Sequence, residues 1–136
     1  MKKILPLLLI LTATLMMTGC GKDNDNNTPP VDSPSIITIT TPPAGTIFIN
    51  GSTLQVRGNV TDNNALSNAR IEIRNTTTNA ILYQQNQSTG NVLYYDLNWN
   101  WTVTGITSTV NAMIRITVTD RYNYQVTKEV AVVLVD

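Results

Sequence analysis

From Leu54 onward the chain alternates apolar and polar residues with a period of two. Leu54, Val56, Gly58 and Val60 fall on one side, and Thr53, Gln55, Arg57 and Asn59 on the other. Ile71 and Ile73 alternate with Arg70, Glu72 and Arg74, and Ile114, Ile116 and Val118 with Arg115, Thr117 and Thr119. The longest such stretch sets Leu93, Tyr95, Leu97, Trp99, Trp101 and Val103 against Tyr94, Asp96, Asn98, Asn100 and Thr102, while Val130, Val132 and Leu134 close the chain. Successive side chains of a strand point to opposite faces, so each stretch reads as a strand with one buried side. With Ile37/Ile39 and the Ile81–Tyr83 segment, the pattern predicts about seven strands separated by Asn, Gly and Pro turns. Helical spacing is sustained nowhere. The expected fold is all-β, an antiparallel sandwich over residues 35–136. Lys128 shares the parity of Val130 and Val132, which calls for a bulge or a stem that snorkels outward.

The first 34 residues follow other rules. Met1-Lys2-Lys3 is positive, and Ile4 to Met17 runs without a charge. A spanning helix needs roughly 20 apolar residues, so this shorter run fits a cleaved signal peptide over residues 1–19. Met17-Thr18-Gly19-Cys20 resembles the bacterial lipobox, with Met17 where Leu is usual. The resemblance implies diacylglyceryl transfer to Cys20 and cleavage before it, hence a membrane partner engaged through a lipid anchor. Gly21 to Pro34 (GKDNDNNTPPVDSP) has three prolines and almost no apolar residues, which makes residues 20–34 a disordered tether. Lys22-Asp23-Asn24-Asp25 is similar to the acidic export signals of surface lipoproteins, so the expected location is the outer membrane, at the cell surface or the periplasmic face.

Composition narrows the chemistry. Thr (21), Ile (13) and Val (12) make up a third of the 136 residues, and these β-branched side chains favour strands. Nine basic residues balance nine acidic ones, without the basic excess that nucleic-acid binding demands. There is no histidine, which removes Ser-His-Asp and Cys-His catalysis and imidazole metal ligation, and the single cysteine closes no intramolecular disulfide. No nucleophile motif stands out, so a non-enzymatic protein is expected.

Residues 39–62 carry a family resemblance. Ile39-Thr40-Thr41-Pro42-Pro43-Ala44-Gly45-Thr46-Ile47-Phe48, then Asn50-Gly51 and Leu54-Gln55-Val56-Arg57-Gly58-Asn59-Val60-Thr61-Asp62, resemble the opening of bacterial immunoglobulin-like (Ig-like) domains. Asn63-Asn64-Ala65-Leu66 followed by Ile71-Glu72-Ile73 is similar to the next loop and strand of those domains, and Ile114 to Asp120 to their penultimate strand. A lipobox, a tether and one such domain is the layout of uncharacterised Ig-like lipoprotein families of Bacteroidota. The resemblance implies an Ig-like sandwich and carries no catalytic residues. Those domains usually have Asp-x-x-Gly-Asn where this chain has Asp120-Arg121-Tyr122-Asn123.

Asp62 and Asp120 end strands whose loops meet at one pole of an Ig-like topology. They are either a calcium site, with Asn63, Asn64 or Asn123 contributing, or Asx-turn acceptors; calcium takes six to eight oxygens and only two carboxylates are in view. Trp99 and Trp101 are either a sugar-stacking platform or core, and their shared parity with Leu97 favours core. Tyr94 and Tyr122 point outward and are the better ligand-contact aromatics. Beyond the acyl anchor no cofactor is implied, and the expected partner is a protein or glycan met by a binding or structural module. A carbohydrate- or calcium-binding accessory protein is the alternative.

Overall fold

The structure, a computed structural model, describes residues 33–136. The expected signal peptide, Cys20 and most of the expected tether lie outside the described residues. Six strands follow one another: β1 (Ile36–Thr41), β2 (Thr46–Ile49), β3 (Thr53–Asn75), β4 (Ile81–Thr102), β5 (Val110–Asp120) and β6 (Gln125–Val135). The expected seven short strands become six because two are long enough to serve both layers. Residues 53–61 of β3 pair with β1 on one side and residues 94–102 of β4 on the other, whereas residues 66–75 pair with β5 and with residues 81–92 of β4. The larger layer continues from β5 through β6 to β2. Pairing is antiparallel except between β2 and β6, which run parallel, a correction to the expected all-antiparallel sheet. This strand order is that of an Ig-like sandwich.

Folding one hydrogen-bonded sheet over itself requires both long strands to turn a corner. In β3 the register breaks between Thr61 and Leu66, where Ala65 takes a left-handed conformation (φ 67°). In β4 Gly90 (φ 74°) and Asn91 (φ 59°) do the same. The corners explain why Leu93, placed by parity on the apolar side, is 58% exposed: it sits where β4 passes between layers. The inner faces then meet. Leu54, Val56 and Val60 of β3 and Leu97 and Trp99 of β4 pack against Ile71, Ile73, Ile114, Ile116, Val118 and Leu134, all of them buried. Each such side chain contributes about 1.5–3 kcal/mol by leaving water.

Two local features complete the frame. A Cβ at Gly58 would overlap the Thr38 carbonyl oxygen and lie 3.0 Å from the Ile39 Cα, so β1 approaches β3 only because residue 58 has no side chain. Lys128 lies in an unbroken register opposite Ile116, which excludes the bulge, and its side chain is exposed. The β2 pairing begins at Val132 and Gly45 N–H already bonds the Ala131 carbonyl, which leaves residues 125–130 of β6 as a free sheet edge. A charge of core parity on such an edge opposes pairing with another chain.

Opposite substitutions at the two special backbone positions have opposite expected outcomes. Gly58→Ala lowers unfolding free energy by about 2–3 kcal/mol through overpacking, and Ala65→Gly raises it by up to about 1 kcal/mol by relieving the left-handed conformation. Urea denaturation followed by tryptophan fluorescence measures both. A Gly58→Ala protein as stable as the parent contradicts the close approach of β1.

Candidate functional site

Four segments converge at the corner of β3, and they bring both predicted aspartates to the same pole. The Ser35 hydroxyl donates to Asp62 Oδ2, and the Asn64 N–H donates to Asp62 Oδ1. Ser33 N–H donates to Asn63 Oδ1 at 3.3 Å. Asp120 pairs with Leu66, and Arg121 N–H donates to the Ala65 carbonyl at 3.0 Å. The Asp120 carboxylate is buried and its Oδ1 accepts the N–H groups of Tyr122 and Tyr124, each at 2.8 Å. Both aspartates thus hold nearby backbone in the manner of Asx turns. Asp120 Oδ2 is buried without a hydrogen-bond partner. Among the described residues no three His, Cys, Asp or Glu side chains gather as metal ligands do.

Asn123 takes the turn position at which the Ig-like domains that the sequence resembles usually have a glycine. Asn123 adopts φ 69°, the left-handed region glycine would supply, and asparagine tolerates it better than other side chains. Held this way, the turn presents Tyr122 and Tyr124 outward. The Arg121 guanidinium lies 4.7 Å from the centre of the Tyr122 ring, and its Nη2 donates to the Tyr122 hydroxyl at 2.6 Å. Tyr94 is likewise exposed; its hydroxyl donates to Asp96 Oδ1 at 2.8 Å, and that bond holds the phenol above its ordinary pKa of 10.0. Trp99 is buried in the core. Trp101 is half-buried and stacks on Tyr83 with ring centres 5.5 Å apart, so neither indole offers an open platform.

A second site, which strand pairing assembles, lies on the polar side of the alternation. Arg70-Ile71-Glu72-Ile73-Arg74 puts three charges on the outer face of the larger layer, and register adds Arg115 and Glu129 beside Glu72. Five of the twelve charged side chains among the described residues therefore share one face. Thr117 and Thr127, bonded to each other at 3.0 Å, and Asn86 extend it into a shallow depression of about 710 Å³.

The charges there are mutually paired. Glu72 is buried and is bonded by Arg70 and, at 2.9 Å, by Arg74 Nε; Arg115 Nε meets Glu129 at 2.6 Å. The Arg74 hydrogen bond is the main reason the Glu72 carboxyl stays below its ordinary value of 4.5; burial opposes it, and the charges of Arg70, Arg74 and Arg115 assist. A smaller depression on the other layer, beside Arg57 and Asp96, is less available. There the Arg57 guanidinium is spent on the carbonyls of Val56 (2.9 Å) and Trp99 (2.8 Å) and on Asn100 Oδ1 (2.8 Å).

No protein-family model and no curated protein matches the chain. Among solved structures it is similar to the fibronectin(III)-like modules of Clostridium thermocellum CbhA, with 16% identity and a TM-score of 0.49. That similarity covers 73% of this chain and 94% of the other.

The Glu72 ladder gives stability an acid limb. Folding lowers the Glu72 pKa, so its stabilisation is complete above about pH 4.5 and is lost as pH falls through the lower folded-state value. Glu72→Gln should cost about 2 kcal/mol at pH 7, as expected for hydrogen bonds to a charged group. It should also flatten the decline between neutral and strongly acid pH, measured by urea denaturation at stepped pH. An acid limb unchanged by the substitution assigns the decline to other carboxylates.

Proposed function

We propose that the protein is a lipid-anchored module of the bacterial envelope, held through Cys20 on the outer membrane at its surface or periplasmic face. Its Ig-like domain binds a polar partner without catalysing a reaction. The observation that carries the binding part is the outer face of the larger layer: guanidinium, carboxylate, hydroxyl and amide groups from four strands share one shallow depression. Strands make a rigid scaffold, so these donors and acceptors are already placed when a partner arrives. The chemistry suits a ligand rich in hydroxyl and carboxyl groups, such as a glycan. Glu72 is held as an ion between arginines, which fits a fixed acceptor better than a proton donor. The anchoring part is carried by the lipobox-like Met17-Thr18-Gly19-Cys20 after an apolar run.

The two parts are tested separately. Cells expressing the full chain are labelled with radioactive palmitate; incorporation is expected in the parent and absent in Cys20→Ala, and a labelled Cys20→Ala protein refutes the anchor. Binding is screened on a glycan array with the parent and with Thr117→Ala/Thr127→Ala, two changes on the exposed part of the face. Glycan binding that the double variant loses supports the site, and binding that it retains places recognition elsewhere.

A further inference from the structure

Nine large apolar or aromatic side chains are exposed among the described residues, and they are not scattered. Ile47, Ile49 and Ile81 lie toward the pole where β6 ends and β4 begins. The other six, Ile36, Val92, Leu93, Tyr94, Tyr122 and Tyr124, belong to the opposite pole. The pairing proves the grouping: Ile36 is opposite Thr61, Thr61 opposite Tyr94, and Leu66 opposite both Val92 and Asp120, at the head of the turn that carries the tyrosines. Patches of this kind on a soluble domain mark an interaction surface.

The chain itself says what covers it. Its N-terminal segment joins the domain at this same pole, where Ser33 and Ser35 are bonded to Asn63 and Asp62. Only twelve residues lie between Cys20 and Ser33, a span of at most about 45 Å when fully extended. A lipid on Cys20 would therefore tether the domain to the bilayer by this pole. The residue types agree: tyrosines with a polar hydroxyl and an apolar ring favour the membrane interface, Leu93 and Val92 favour its apolar side, and Arg121 beside Tyr122 suits phosphate-bearing headgroups.

We infer that the pole formed by the β3 and β4 corners and the Asp120–Tyr124 turn is a membrane-docking surface, seated on the bilayer that holds the Cys20 anchor. The inference rests on the anchored reading. Docking fixes orientation: the pole rests in the headgroups and the Arg70–Glu72–Arg74 face stands on the side of the domain, open to solvent.

The test photolyses isolated membranes that contain the full chain and a diazirine-bearing phospholipid, then maps the labelled peptides. Labelling is expected at residues 92–94 and 122–124 as well as in the N-terminal segment, with little at Ile47, Ile49 or Ile81. Leu93→Ser/Tyr122→Ser is expected to reduce labelling of the pole several-fold and to leave N-terminal labelling unchanged. Ile47→Ser/Ile49→Ser, at the far pole, is expected to change neither. Should the Leu93→Ser/Tyr122→Ser chain fail to fold, Leu93→Ser alone is read in the same way. Label confined to the N-terminal segment overturns docking and leaves the anchor intact, and equal label at both poles also overturns it. A chain with no label anywhere loses the anchor together with the docking.

Discussion

Everything in this domain depends on how a single hydrogen-bonded sheet turns a corner. Two long strands, β3 and β4, belong to both layers, and at their corners the ladder is interrupted. An interrupted ladder leaves N–H and C=O groups that must find partners, because unpaired buried backbone groups are costly. Two aspartates answer much of that need. Asp62 takes the Asn64 N–H just past Thr61, and Asp120 takes the N–H groups of Tyr122 and Tyr124 while Arg121 bonds the Ala65 carbonyl. The carboxylates flank the one point where β1, β3, β4 and the β5–β6 turn meet. The residues that looked most like a ligand set are thus the joinery of the fold, and their placement decides what the pole displays.

Much of this was legible in the sequence, and the misreadings have physical causes. Period-two alternation found the buried faces of β3, β4, β5 and β6, because burial against an opposing layer is what that pattern encodes. It also separated Trp99 from Tyr94. Continuity was not legible, since the corner departs from strand geometry at Ala65 much as a turn does: Asp62-Asn63-Asn64-Ala65 reads as a loop. Nor was the parallel β2–β6 pair, because strand direction is fixed by distant topology and not by local pattern. Leu93 failed for a related reason, as parity predicts burial only where another layer covers the strand. The polar side of Arg70–Glu72–Arg74 was legible in the alternation, but the register that sets Arg115 and Glu129 beside it depends on strand pairing that no local pattern encodes.

The outer faces of the two layers divide the polar surface unequally. The smaller layer shows Asn, Thr and Gln, such as Asn59, Thr38 and Gln55, with Arg57 tied to its own backbone. The larger layer collects arginines and glutamates. In a chain with only 13% charged residues, that concentration is a choice of place and not a by-product of a charged surface. Pairing the charges with one another keeps them fixed in position: Glu72 is held from two sides, so the arginines beside it lose freedom before a ligand appears. Exposed ion pairs add little stability, and Arg115–Glu129 belongs to that class. The buried Glu72 pairs do contribute stability, so only the exposed Arg115–Glu129 pair is left without a stabilising role.

Orientation joins these features. A tethered domain free to tumble would present its polar face in every direction, and an exposed apolar pole would only promote association with other copies. Under the proposed docking, seating that pole on a bilayer would remove the apolar surface from water and turn the polar face sideways. The remaining free edge of β6 is guarded by Lys128, whose charge of core parity discourages a second chain from adding a strand. The proposed docking at one end, protection along one edge and an open ladder on one face are three separate uses of the surface. Each follows from where the corner of β3 puts its neighbours.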